Sequence, residues 1–196
     1  MSYSVEHINL PKAELIYVKD FFSEKESKVY FEYLKQQINW QHDQIKVFGK
    51  VYDQPRLTAL YAENKKAYSY SNIVMHPHQF TNELLKIKNK IVTFSNEKFT
   101  TCLLNYYRTG QDSNGWHADD EKELGVNPVI ASMSFGAKRK FKMRKKDNHQ
   151  EKFDIELSAG SLLIMKGETQ HFWQHQIPKT AKKIDPRINL TFRKIE

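Results

Sequence analysis

Between residues 99 and 193 the chain breaks into short segments rich in β-branched and aromatic residues: FTTCLLNYY, PVIASMSFG, KRKFKMRKK, EKFDIEL, SLLIM, HFWQHQI and RINLTFR. Turn signals such as KDNH and SAGS separate them. Strands this short and this closely spaced bury their apolar faces by closing into a sandwich or barrel. Helical patterns precede them. SEKESKVYFEYLKQQI (23–38) sets Tyr30, Tyr33, Leu34 and Ile38 at helical spacing behind a Ser23/Glu26 capping box. Phe80, Leu84, Ile87 and Ile91 repeat the spacing across 78–93, and ELIYV (14–18) reads as an early strand. The expected fold class is mainly β with flanking helices (α+β), with a jelly roll as its core.

The 196 residues carry no internal repeat and no Gly/Ser-rich linker, so one domain is expected. A charged share of 28% against a hydrophobic share of 39% excludes the disordered and membrane classes. No apolar run reaches the length of a membrane span. The start, MSYSVEHINLPKAEL, lacks a basic segment followed by an apolar one, so secretion is not expected. Cys102 stands alone in TTCLL. It has no internal disulfide partner, fits a reducing compartment and reads as buried filler. The formal net charge of +8 favours polyanionic partners such as nucleic acid.

NGWHADDEKELG (114–125) crowds acids behind a histidine. A solvated turn explains that cheaply, and a metal site explains it better if a further ligand exists. On an extended segment His117 and Asp119 project to one side. His175, in WQHQIP, is the best candidate for the third ligand, and His171 is the alternative. Two imidazoles and a carboxylate make the facial triad of non-haem Fe(II) oxygenases, which leaves positions open for a chelating co-substrate and O₂. In PRINLTFRKI, Arg187, Asn189, Thr191 and Arg193 alternate with Ile188, Leu190 and Phe192. If the apolar face packs on helices, the arginines point inward. A buried guanidinium needs an anion, and a dicarboxylate co-substrate matches it in bidentate fashion.

HAD (117–119), QHQIP (174–178) and PRINLTFRKI (186–195) together resemble the AlkB family of Fe(II)- and 2-oxoglutarate-dependent dioxygenases. The family's Arg-x-Asn-x-x-x-Arg strand is matched by Arg187, Asn189 and Arg193, and its Asn-x-Tyr element by Asn105 and Tyr107. The resemblance runs from about residue 47 to the C-terminal end of the sequence. It is strongest to the branch with the animal DNA-repair homologues, through VFGK (47–50) and QPRLTALY (54–61).

The resemblance implies a double-stranded β-helix core over about residues 99–196, with helices and a nucleotide-recognition lid over about 1–98. It implies that His117, Asp119 and His175 hold Fe(II). Arg187, helped by Tyr107, would pair with the distal carboxylate of 2-oxoglutarate, while Asn105, Asn189 and Arg193 complete its site. The implied reaction is oxidation of N-alkyl groups on bases such as 1-methyladenine and 3-methylcytosine, with the base flipped out of the duplex. Val47, Phe48 and Gly49 would form a wedge that fills the vacated stack. Arg56, Tyr61, Tyr68, Tyr70 and Glu121 are the other expected substrate contacts. Two basic clusters suit phosphates: Lys138, Lys140, Lys142 and Arg144 on one strand face, and Lys179, Lys182 and Lys183 in a loop interrupted by Thr180 and Ala181. DNA is the expected partner of a monomer, in bacterial cytoplasm or a eukaryotic nucleus. The alternatives are an RNA base demethylase of the same chemistry and a protein hydroxylase on the same fold.

Overall fold

The computed structural model describes residues 3–47, 50–64, 68–70 and 73–195. A seven-stranded antiparallel sheet runs in the order β1 (Val5–Leu10), β2 (Ala13–Val18), β13 (Leu162–Lys166), β10 (Ile130–Gly136), β15 (Arg187–Arg193), β8 (Thr101–Tyr107), β5 (Leu57–Ala62). A four-stranded antiparallel sheet faces it: β12 (Lys152–Leu157), β11 (Arg139–Lys145), β14 (Trp173–Ile177), β9 (Asn114–His117). Two hairpins form separate sheets, β3 (Gln44–Val47) with β4 (Lys50–Asp53), and β6 (Tyr68–Tyr70) with β7 (Ile73–Met75).

Alternation along β15 sorts its side chains. Ile188, Leu190 and Phe192 pack outward against Leu34 and Ile38 of the first helix region and Leu84, Ile87 and Ile91 of the second. The helices are α1 (Glu24–Gln37) and α2 (Asn82–Ser95). The Ser23 hydroxyl accepts from the Glu26 N–H, and the Glu26 carboxylate accepts from the Ser23 N–H, closing the expected capping box. α2 starts later than the spacing suggests, because Thr81 caps it through the Leu84 N–H. Between the sheets, Leu15, Ile130, Leu163 and Met165 meet Phe141, Met143, Trp173 and Ile177. Each such side chain, once buried, contributes about 1.5–3 kcal/mol of hydrophobic stabilisation before entropy. Cys102 is fully buried in the outer layer, as its apolar surroundings suggest.

The core strands are not confined to residues 99–196: β1, β2 and β5 complete the larger sheet. β1 eludes a sequence reading because it is an edge strand, and VEHINL has little apolar face to bury. The segment HFWQHQI is also shorter as a strand than expected. Thr169–Phe172 form a single helical turn, α3, and β14 begins at Trp173.

Candidate metal and co-substrate centre

His117 and His175 are opposite one another in the β9–β14 pairing, with ring centroids 4.3 Å apart. Asp119 lies just past the end of β9 and is fully buried. One ligand atom from each of His117, Asp119 and His175 lies within 4.8 Å of the others. The alternative ligand His171 is turned away: its Nε2 accepts from the Asn127 N–H at 3.4 Å.

The tautomer of His117 follows from its partner. Nδ1 lies 2.8 Å from the Gly115 carbonyl, which only accepts, so Nδ1 carries the proton and Nε2 keeps its lone pair. The ring of His175 stacks on Phe141 at 5.1 Å. Burial lowers the basicity of both imidazoles. For His175 the neighbouring His117 adds to this, Asp119 opposes it, and the result is about 3. Both rings are therefore neutral at pH 7, as metal ligation requires. Burial pushes the Asp119 carboxyl up, but the Arg193 guanidinium, through its charge and its hydrogen bond, leads the effects that hold the group below its usual value. Arg193 Nη2 donates directly to Asp119 Oδ1.

The same cavity is lined by Asn105, Tyr107, Arg187, Asn189 and Arg193. The register explains this, since Arg187 pairs with Tyr107 and Asn189 with Asn105 across β15–β8. The apolar side of β15 faces the helices, so its polar side faces the cavity. Asn189 donates to Ser132 Oγ at 2.8 Å and to the Met133 carbonyl at 3.0 Å. Arg187 is 1% exposed, lies 5.3 Å from the Tyr107 ring centroid and donates through Nη2 to Ser134 Oγ at 2.9 Å. Its Nε and Nη1 are buried with no protein acceptor. Burial pulls its guanidinium down to about 10, with Tyr107 opposing, so it stays charged near neutrality. A buried cation with two unused donors fits a carboxylate, which accepts two parallel N–H bonds.

The expected substrate contacts divide. Glu121 is half-buried, and its Oε2 is buried with no protein partner. Arg56 is committed elsewhere: only 5% exposed, it donates through Nε to Asn105 Oδ1 at 2.7 Å and through Nη1 to the Ser113 carbonyl at 3.3 Å. It braces a cavity residue rather than presenting a free guanidinium. Tyr61 is a core residue of β5, not part of a lid. It is 2% exposed and packs near His78 and Phe80, with centroids at 5.4 and 6.4 Å. Phe48 and Gly49 lie outside the described residues, and Val47, Tyr68 and Tyr70 are described only as strand members.

The basic clusters also divide. Lys138 pairs with Glu156 at 2.8 Å and Lys140 with Asp154 at 3.6 Å, so β12 partly neutralises that face. Arg144 lies 4.2 Å from the Trp116 ring centroid and donates to Gln174 Oε1. The loop with Lys179, Lys182 and Lys183 is tied down by the Thr180 N–H, which donates to the Gly110 carbonyl at 2.8 Å. Gly110 is needed there: a Cβ would come 2.8 Å from the carbonyl oxygens of Lys182 and Thr180. Gly110→Ala should therefore part the two loops and destabilise the protein by roughly 1–3 kcal/mol, read from urea unfolding. An unchanged midpoint would show that the loops separate freely. Arg139 secures the same region from below, donating to the carbonyls of Asp112 (2.9 Å) and Pro178 (2.7 Å).

Sequence patterns missed Gln170, whose Oε1 accepts from the Asp119 N–H, as well as Arg139 and the bracing role of Arg56. Their acceptors are mostly backbone carbonyls, and for Gln170 the partner is a backbone N–H; such partners leave no trace in residue type.

These features define a non-haem iron oxygenase fold and centre, and the chain belongs to the 2OG-Fe(II) oxygenase superfamily, whose model matches residues 14–193. The family takes Fe(II) with 2-oxoglutarate and O₂, and this donor set fits both iron and a dicarboxylate. Its relatives within that superfamily are AlkB homologues. The chain is 44% identical over 184 residues to alpha-ketoglutarate-dependent dioxygenase alkB homolog 3 of Bos taurus, covering 89% of this chain and 64% of that protein. It therefore spans less than two thirds of that relative's length. It is 33% identical over 184 residues to the DNA oxidative demethylase ALKBH2 of Mus musculus, covering 89% of this chain and 77% of that one. The solved structure of OsALKBH1 agrees in fold, with a TM-score of 0.66 over 96% of this chain and all of the other, at 15% identity.

Proposed function

We propose that this protein is an Fe(II)- and 2-oxoglutarate-dependent dioxygenase that removes N-alkyl groups from bases in DNA. The observation that carries the reading is the meeting of His117, Asp119 and His175 with the two unused donors of buried Arg187 in one cavity. Iron bound by the three ligands supplies the activation of O₂ that protein side chains cannot. The chain's own groups do the rest. Arg187 anchors the distal carboxylate of 2-oxoglutarate, with Tyr107 beneath it. Asn105, held by Arg56, and Asn189, held by Ser132, line the cavity around the remainder of the co-substrate. Phe141, Leu103 and Met165 supply the apolar part of the cavity wall.

The balance of the reaction is simple. One O₂ oxidises 2-oxoglutarate to succinate and CO₂ and places one oxygen on the N-alkyl carbon. The resulting hemiaminal loses an aldehyde and a proton, and the ring nitrogen of the base recovers its lone pair. Glu121, two residues beyond Asp119, has an unpartnered oxygen and would accept from a base edge. The excess of positive charge and the relatives' names support a nucleic-acid substrate. The wedge expected from the sequence at Phe48 supports a duplex with a flipped base.

The test is anaerobic reconstitution with Fe(II) and 2-oxoglutarate, then air and a duplex carrying 1-methyladenine, with mass spectrometry of the oligonucleotide. Loss of one methylene mass by wild type and none by His117→Ala is expected, with a duplex-selective loss of rate in Phe48→Ala. Consumption of 2-oxoglutarate without conversion of DNA would move the substrate to RNA or protein. No consumption would sink the enzyme reading.

A further inference from the structure

The two histidines of the triad owe their spacing to strand pairing, because they face each other across β9 and β14. Asp119 has no such support. It lies beyond β9, where no ladder fixes the backbone. Its N–H is nevertheless satisfied: Gln170 Oε1 accepts from it at 2.9 Å. Gln170 is fully buried in α3, the turn that leads into the strand bearing His175. Its other end is occupied as well. Nε2 donates to Met165 Sδ at 3.5 Å. Sulfur only accepts here, so the amide cannot flip without losing both contacts.

We propose that Gln170 is a positioning residue of the metal centre, holding the backbone of Asp119 and thereby the aim of its carboxylate. It rests on the reading of His117, Asp119 and His175 as the iron ligands. Two restraints then act on one ligand: Gln170 on the backbone and Arg193 on Oδ1. Either alone leaves the carboxylate a hinge. A ligand must be held to within about 0.5 Å of its working position, which one contact to a side-chain oxygen does not secure. A neutral amide also suits the site electrically. Asp119 is already balanced by Arg193, and an amide adds a hydrogen-bond acceptor without a second charge. The link further couples the loop after β9 to the start of β14, so the carboxylate and His175 move as a unit.

The experiment is an anaerobic Co(II) titration of wild type, Gln170→Met and Gln170→Glu, followed by the visible ligand-field bands. Thermal melts and near-ultraviolet circular dichroism of the metal-free proteins accompany it. Methionine keeps the length and apolar fit of the side chain but offers no oxygen to the Asp119 N–H, while glutamate, kept in its neutral acid form by burial beside Asp119, keeps the acceptor and adds no charge. Gln170→Met should weaken Co(II) by roughly 10- to 100-fold and shift the bands. Gln170→Glu should return the bands to their wild-type positions. Wild-type affinity in Gln170→Met overturns the proposal. So does weakened binding with unshifted bands and a lowered melting temperature, since that is loss of folded protein rather than of geometry. Shifted bands in both variants overturn it too, because the acceptor would then be irrelevant. Failure of the wild type to bind Co(II) would overturn the iron-site reading beneath it.

Discussion

Arg187→Met is expected to make the metal-free protein more stable and to abolish its stabilisation by 2-oxoglutarate. The wild-type guanidinium is buried, keeps its charge, and has two nitrogens with no protein acceptor. Replacing such a group by a well-packed apolar chain removes a desolvation penalty, and a gain of about 1 kcal/mol or more is expected. For a protein of this size that raises the melting temperature by roughly 2–4 °C. The affinity for 2-oxoglutarate moves the other way, by about 3 kcal/mol or more, which is upwards of roughly 100-fold. Melting curves of both proteins, with and without 2-oxoglutarate and Mn(II), read the two effects together. If 2-oxoglutarate still protects the variant as it protects wild type, the anchor is another residue.

Asp119→Ala and His175→Ala should both abolish turnover and differ in stability. Asp119 is a ligand and also the buried partner of Arg193. Its removal strands part of a buried guanidinium, at a cost of about 3 kcal/mol to the metal-free fold. His175 is neutral near pH 7 and stacks on Phe141, so its loss removes ring contacts but no charge pair. Unfolding in urea separates the cases. The double variant Asp119→Ala/Arg193→Met should recover most of the stability and none of the activity. Equal stability of Asp119→Ala and wild type would mean that the ion pair contributes nothing to the fold.

The legible parts of the sequence were those in which residue type and spacing carry the geometry. His117 and Asp119 are two apart, and two apart on an extended chain means one side. Arg187, Asn189 and Arg193 alternate with apolar residues, and alternation on a strand means one face. The second pattern survives as β15, whereas in the first His117 ends β9 and Asp119 reaches the cavity from just beyond it. What the sequence could not carry depends on neighbours distant along the chain. Tyr61 looks like any exposed aromatic in LYAENKKAYSYSN, and only the packing of β5 beneath Phe80 makes it core. Arg56 looks free until Asn105 is placed beside it. Gln170 is invisible because its partner is a peptide N–H, which every residue but proline has. Lys138 and Lys140 read as phosphate contacts until β12 brings Glu156 and Asp154 alongside.

The place of β15 in the larger sheet bears on how the protein can be made. β1, β2, β13 and β10 join β8 and β5 only through it. Until residues 187–193 leave the ribosome, the growing chain holds two sheet fragments with no shared hydrogen-bonded edge. Each fragment ends in an unpaired edge, β10 in one and β8 in the other, that β15 later joins. The larger sheet is therefore completed only when its last strand has been made. The co-substrate arginines arrive on the same strand that closes the sheet, so the chain cannot bind 2-oxoglutarate through them before its core exists.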